Sequence, residues 1–340
     1  MRSELLVLSA SDVHAALSYA ECAEAMRAAL VALANGQGQM PLRTVTRPAG
    51  AAGLVALMPS YLSTAAGEPA DATYGLKAIC ITPSNPAIGI DTHQGVVLLS
   101  KGDTGEPVAL LNASAVTEIR TAAVSVVATE LLARPDATEL AVIGTGVQAR
   151  AHVLALDSAR QLTAIRIAGR DPARAAEFAG SLAGQTRAAG RACDTAREAV
   201  AGAGIVVTAT SSAAPVLQRD WLEQGAHINA VGACLPTVRE LDTATMAEAA
   251  LFADRRESVL TESGDYVLAA AEGAVGPDQI RAELGEILAG SAVGRTTPEE
   301  ITVFESLGLA IEDLAAAARA CTVATATRGS AGQIGTWLRF

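Results

Sequence analysis

Aromatic side chains make up only 3% of the 340 residues, so a core has to be built from Ala, Val, Leu and Ile rather than from stacked rings. Cysteine is thin as well: Cys22, Cys80, Cys193, Cys234 and Cys321 are scattered, with no C-x-x-C pair. That spacing excludes a disulfide framework and a zinc motif, and no metal is expected. Basic residues are outnumbered, 25 Lys and Arg against 36 Asp and Glu, for a net charge of −11. The balance argues against nucleic acid or an anionic membrane as partner, though not against a small anion, whose binding depends on the local field. Charges interrupt the Ala-rich stretches before any could span a bilayer. Met1-Arg2-Ser3-Glu4 opens no signal-peptide-like apolar run, so a cytoplasmic protein is expected. Half the residues are hydrophobic and 18% charged, which makes the chain globular and long enough for two domains.

The order of elements divides the chain. Ser11 and Ser18 read as helix N-caps, the second opening a helix through Ala20–Ala34 that Asn35-Gly36 stops. Arg43–Thr46 and Leu54–Pro59, joined by Pro48-Ala49-Gly50, read as a hairpin. Tyr74–Thr82, Gly95–Ser100 and Pro107–Asn112 follow as strands, and Ser114–Leu132 as a long helix ended by Arg134-Pro135. This first part is an α+β unit with largely antiparallel strands. From Leu140 the rhythm becomes strand–helix alternation, with strands at Leu140–Ile143, Ala164–Ala168, Ile205–Thr210 and His227–Val231 and a further candidate at Leu251–Ala253. The fold class is therefore α/β, a doubly wound parallel (Rossmann) sheet plus a second α+β domain. Leu307–Arg328 is a long Ala-rich amphipathic helix.

The most informative motif is Ala141-Val142-Ile143-Gly144-Thr145-Gly146-Val147-Gln148-Ala149, between a short apolar run and a helix. A dinucleotide-binding loop needs that context. Gly144 permits the tight turn, Gly146 admits backbone N–H groups to a pyrophosphate, and Ala149 replaces the third glycine; the phosphates then meet the positive end of the following helix. Binding an unphosphorylated ribose requires a carboxylate at the end of the second strand. Here that position reads as Gly169, followed by Arg170, which makes room for a 2′-phosphate and pairs with it. NADPH is preferred on this reading, with NADH as the alternative, because a strand one or two residues longer would bring Asp171 to the ribose. Thr208, Thr210, Val231 and Gly232, at the carboxyl ends of two later strands, complete the cofactor candidates of this half.

Three basic residues stand in apolar or turn-like contexts outside that motif: Arg43, Lys77 and Arg120. Lys77 lies inside the run Gly75–Ile81, where a buried ammonium is costly unless paired. It is either an edge residue or one that faces an anionic ligand, and desolvation would bring its pKa toward the range useful for proton transfer.

The chain resembles the ornithine cyclodeaminase/mu-crystallin family over nearly its whole length. The segments that carry the likeness are Pro41–Thr44, Met58-Pro59, Gly75–Lys77, Gly95–Leu99, Thr117–Ala123, Ile143–Ala149, Gly225–Ala233, Arg239–Asp242, Ala282–Glu286 and Thr302–Gly308. The resemblance implies a homodimer whose subunits combine a dinucleotide-binding domain, residues 126–305, with a substrate and dimerisation domain, residues 1–125 and the returning helix at 306–340. It implies that Arg43 and Arg120 clamp an amino- or imino-acid carboxylate, that Lys77 is the active-site lysine, and that Thr92, His93, Thr121 and Ser306 contact the cofactor. His14, His152 and His227 are left as structural.

One departure separates activities within the family. Cyclodeaminases carry an aspartate where this chain has Cys234, and a thiol cannot supply a carboxylate to orient an ammonium or a water. Cys234 reads instead as a passive wall of an imine pocket, as in mu-crystallin-like ketimine reductases. The implied function is NADPH-dependent reduction of Δ1-pyrroline-2-carboxylate or Δ1-piperideine-2-carboxylate to L-proline or L-pipecolate, a step of proline metabolism. The alternatives are a cyclodeaminase that recycles NAD, an alanine-dehydrogenase-like enzyme, and a non-catalytic NADPH-dependent ligand-binding protein. Replacing Lys77 or Arg120 by alanine is expected to abolish turnover and leave the fold intact.

Overall fold

The computed structural model describes residues 4–63 and 72–339; Met1-Arg2-Ser3, on which the leader reading partly rests, lie outside them. The chain divides into two compact units. One joins the described residues up to Arg120 with those from Leu309 onward, and the other is Thr121–Gly308. The divisions differ from those expected at 125/126 and 305/306. The first falls inside the continuous helix Ala113–Leu132, where no loop marks it.

The first unit is built on an eight-stranded sheet of β1 (Glu4–Leu8), β2 (Gly38–Gln39), β3 (Thr44–Thr46), β4 (Leu54–Leu62), β5 (Thr73–Ile81), β6 (His93–Lys101), β7 (Pro107–Asn112) and β16 (Thr336–Arg339). Its order is β16-β1-β7-β6-β5-β4-β2, with β3 paired to β4. Pairing is antiparallel except between β1 and β7. Period-two alternation puts Met58, Ser60, Gly75, Lys77, Ile79, Val97 and Leu99 on one buried face. Helix Ala310–Ala326 packs across β4, β5 and β6 on that face and also against helix Tyr19–Ala34. Gly75 admits it, since a Cβ there would lie 2.9 Å from Leu314 Cδ1 and 2.8 Å from Ser60 Oγ. The opposite face presents Leu57, Tyr74 and Val96 at 37–49% exposure.

Helix Tyr19–Ala34 starts at Ser18, as the sequence implied, with a capping box to Glu21. Helix Ala10–Ala16 is capped by Ser9 rather than Ser11. Ser9 Oγ accepts from the Asp12 N–H and Asp12 Oδ2 from the Ser9 N–H, at 3.3 and 2.9 Å; Ser11 lies inside the first turn, where its side chain reaches no helical N–H two or three residues on.

The second unit is a parallel sheet of β8 (Glu139–Ile143), β9 (Ala164–Ala168), β10 (Gly190–Ala192), β11 (Ile205–Thr208), β12 (His227–Ala230), β13 (Ala250–Ala253), β14 (Ile280–Glu283) and β15 (Thr302–Glu305). The order β10-β9-β8-β11-β12-β15-β13-β14 reverses direction between β8 and β11, the switch point at which doubly wound sheets bind ligands. The central strands are buried on both faces, which is why their sequences read as apolar runs rather than alternating ones. β15 inserts between β12 and β13, an out-of-order placement that strand–helix rhythm does not announce. No helix of the described residues is long and apolar enough to cross a membrane.

Candidate active site

In the first unit the structure gathers Lys77 and Arg120 around two carboxylates that the sequence reading did not single out. Lys77 lies on the buried face of β5, two residues from Gly75, opposite the first turn of helix Ala310–Ala326. Its Nζ donates to both oxygens of Asp313, at 3.1 and 3.2 Å. Arg120 Nε donates to Asp313 Oδ1 at 3.1 Å and Nη1 to Glu312 Oε2 at 3.0 Å. All four side chains are nearly or fully buried. Of the two readings left open for Lys77, the edge residue is excluded: the ammonium is interior and paired.

Burial lowers the Lys77 pKa to about 8, against the pull of Asp313, which raises it; Arg120 and Arg43 lower it further. Arg43, which precedes β3, is therefore within the field of the same cluster. Burial raises the Glu312 pKa, opposed by Arg120. Two cations thus pair with two carboxylates, and Arg43 adds positive potential to the cluster. His93 opens β6, with its pKa lowered first by burial and then by Lys77. Thr92 holds the chain just before it, its carbonyl accepting from the Thr82 N–H at 2.9 Å.

In the second unit the glycine loop takes the expected form. β8 ends at Ile143, Gly144 has φ +135°, a conformation open to glycine, and helix Val147–Ala159 begins after Gly146. Gly146 is that helix's N-cap and supplies no side-chain cap, and a Cβ on it would meet nothing within 4 Å. The first-turn N–H groups of the helix are thus available to an anion in the way a pyrophosphate requires. Val147 is exposed and Ala149 fully buried, so the loop presents one and packs the helix with the other.

β9 ends at Ala168, and Asp171 caps the next helix, accepting from the N–H groups of Ala173 and Arg174 at 2.9 and 3.5 Å. Asp171 is thereby engaged in capping its helix, and β9 ends at Ala168 as the sequence implied. A Cβ at Gly169 would lie 2.8 Å from Thr145 Cγ2, so a carboxylate there would crowd the loop.

Thr208, Thr210, Val231, Gly232 and Ser306 stand at or just beyond the carboxyl ends of β11, β12 and β15. The Ser306 hydroxyl is buried with no hydrogen-bond partner, as expected of a group that meets a ligand. These residues fit a nicotinamide dinucleotide. Cys234 Sγ donates to the carbonyls of Val231 and Ser306, at 3.3 and 3.8 Å, which ties it to the same strand ends. Thr121 is buried in helix Ala113–Leu132.

The sequence reading also missed Glu240, whose carboxylate accepts from the Thr210 N–H at 2.5 Å and the Gly232 N–H at 2.7 Å. Its signal was the segment Arg239–Asp242, which follows the β12 loop. The histidines are structural in their own units. His152 sits between Gln148 O and Ser125 Oγ, His227 bonds Thr302 Oγ1, and His14 pairs with Glu118.

Residues 3–325 match the model of the ornithine cyclodeaminase/mu-crystallin family. The chain belongs to that family. Ketimine reductase mu-crystallin of Mus musculus is 38% identical over 283 residues, 83% of this chain and 84% of its own. A Thermococcus litoralis Δ1-pyrroline-2-carboxylate reductase, solved with NADH and L-proline, superposes with a TM-score of 0.91 at 35% identity, covering 97% of this chain and 99% of that one. An archaeal alanine dehydrogenase dimer with bound NAD gives 0.90 at 29% identity, covering 99% of each chain.

Proposed function

We propose that this member of the family reduces the C=N bond of a cyclic imino acid, Δ1-pyrroline-2-carboxylate or Δ1-piperideine-2-carboxylate, to L-proline or L-pipecolate, with NADPH as the reductant. The observation that carries the reading is the buried Lys77–Asp313–Arg120–Glu312 cluster with Arg43 in its field. Bound reduced nicotinamide supplies a hydride to the imine carbon.

The chain's residues do the rest. Arg43 and Arg120 hold the substrate carboxylate, Arg120 pre-oriented by the two bonds it makes to Glu312 and Asp313. An imine accepts hydride more readily when its nitrogen is protonated, and Lys77, with its pKa near 8, donates that proton directly or through a water. Asp313 steadies the ammonium before transfer, and Cys234 is a passive wall. The Gly169-Arg170 pair, with Asp171 engaged in capping, supports NADPH over NADH.

The deciding experiment follows NADPH and NADH oxidation with cyclic imino acids, and with 2-oxo acids plus ammonia or amines. Oxidation confined to the cyclic imines is expected. Rates that depend on added amine would point to the alanine-dehydrogenase-like chemistry. Ammonia released from ornithine without net oxidation would point to a cyclodeaminase.

The reading includes a homodimer formed through the outer face of the first unit's sheet. Leu57, Tyr74 and Val96 stay 37–49% exposed there, an apolar face of the kind that pairs with a second copy. Leu57→Glu is expected to convert a dimer to monomers in sedimentation. A wild-type monomer would sink this part.

A further inference from the structure

Four carboxylates lie buried together at the carboxyl end of the second unit's sheet: Glu240, Asp254, Asp265 and Glu305. Their hydrogen bonds can be followed oxygen by oxygen. Glu240 accepts at both oxygens, from Thr210 N–H and Gly232 N–H. Asp254 also accepts at both, from Arg255 N–H at 2.7 Å and Gly308 N–H at 2.7 Å. Asp265 Oδ1 accepts from the N–H groups of Glu240 and Leu241, at 2.7 and 2.8 Å. Glu305 Oε2 accepts from Ser263 Oγ at 2.8 Å. Two oxygens remain buried without a partner, Asp265 Oδ2 and Glu305 Oε1. Glu305 ends β15 and is tied to the start of one helix, since its donor Ser263 is the N-cap of Gly264–Ala271, and Asp265 lies in that helix's first turn.

Among the described residues Glu240, Asp265 and Glu305 make no ion pair. Arg239, whose charge reaches Asp265, donates its own Nη1 to Glu272 and Thr243, at 2.9 and 3.2 Å. Among the described residues no cluster is arranged to hold a metal ion. Two ionised carboxylates in an interior without cations repel, and one proton between them removes the repulsion and satisfies both stray oxygens.

We propose that Asp265 and Glu305 share a single proton, and that the pair so formed is a positioning device that holds Glu240 across the ends of β11 and β12. The link to Glu240 is the Asp265 carboxylate, which fixes the Glu240 peptide N–H, while the Glu240 side chain binds Thr210 and Gly232. The second half of the inference rests on the assignment of those strand ends to a nicotinamide cofactor. The electrostatics agree. Burial raises Asp265 to about 7, with Glu240 adding to the rise, and burial raises Glu305, with Asp265, Asp254 and Glu240 adding to it. A carboxyl group raised in the fold stabilises the protein below its folded pKa and ceases to do so as pH climbs through it.

The test uses Asp265→Asn and Glu305→Gln in the full chain. Asparagine keeps Oδ1 for its two backbone donors and puts an N–H where Oδ2 was, and glutamine does the same from the other side. Each variant therefore fixes the donor that the shared proton provides. Wild-type Tm without cofactor is expected to fall by roughly 5 °C or more between about pH 6 and pH 9, and NADH affinity to weaken several-fold over the same range. NADH is the probe because it carries no 2′-phosphate to titrate. Both dependences should flatten in the variants, and Glu305→Gln carries the test alone if Asp265→Asn does not fold. Parallel Tm profiles in wild type and variant would overturn the shared proton. A flattened Tm profile with an unaltered pH dependence of NADH affinity would overturn the positioning role. Neither readout involves an imino acid, so the outcome is independent of whether the chain proves to be a reductase.

Discussion

In the first unit buried charge comes in opposite signs, Lys77 and Arg120 against Asp313 and Glu312, whereas Glu240, Asp265 and Glu305 of the second unit are held by backbone N–H groups and a serine hydroxyl. The difference is one of task. A cluster of paired ions can accept a carboxylate and move a proton when its members change partner as substrate arrives. A cluster of carboxylates bonded to peptide groups cannot exchange partners without moving backbone, and so it fixes the strand ends proposed to face a cofactor. Electrostatic lability belongs to the half assigned to the substrate, and rigidity to the half assigned to the dinucleotide.

Breaking the paired cluster is expected to have the largest effect. Arg120→Ala removes the proposed substrate anchor, a loss of about 2–5 kcal/mol in transition-state binding, and also leaves Glu312 without its cation in the interior, while Asp313 keeps Lys77. The second consequence revises the expectation that the fold is untouched. Losing one partner of a buried pair destabilises by about 3–5 kcal/mol, so a lower Tm should accompany the fall in kcat/KM. A variant with unchanged Tm would show that the cluster is not dry and that the contrast between the two units is overstated.

Asp313→Asn sharpens the comparison with a smaller effect. Asp313 is the group that raises the Lys77 pKa against burial, so its removal moves that pKa further down. If protonated Lys77 is the working form, kcat/KM falls above about pH 8 in the wild type. In the variant the same fall should begin about one pH unit or more lower, with Asp313→Glu restoring part of the range. Identical alkaline limbs in wild type and variant would separate Lys77 from the proton transfer.

Much of this was legible from residues alone. The glycine loop, the strand–helix alternation after Leu140 and the strand end at Ala168 fall where the sequence puts them, because a parallel sheet writes itself as apolar runs between helices. Lys77 stood out for the same reason, as a charge in an apolar strand. Its partner did not. Glu312 and Asp313 open an Ala-rich helix, where acidic residues serve the helix dipole equally well in solvent, and only tertiary packing turns them toward β5. β1 and β16 were not foreseen, since β16 pairs with a strand from the opposite end of the chain and local pattern does not encode so distant a partner. Glu240 was hidden differently: its role is to accept from two peptide N–H groups, and a peptide donor leaves no mark on composition.

The smallest expected effect tests the rigid half at its rim. Arg170 lies two residues beyond the end of β9 and is exposed, so on the proposed reading it contributes one charge-assisted bond to a 2′-phosphate, worth about 1.5–3 kcal/mol before solvent weakens it. Arg170→Ala should therefore raise the Kd for NADPH about tenfold and leave that for NADH nearly unchanged, with no effect on Tm beyond the ordinary range of a surface change. The converse substitution, Gly169→Asp, should not simply convert the enzyme to NADH. Its Cβ meets Thr145 Cγ2 at 2.8 Å, so the loop has to give before the carboxylate can reach a ribose, and affinity for both cofactors should fall unless Thr145 is made smaller as well. Rescue of NADH binding by Gly169→Asp combined with Thr145→Gly would place the preference in this pair and loop. Equal loss of both cofactors in Arg170→Ala would instead move the 2′-phosphate contact elsewhere in the unit.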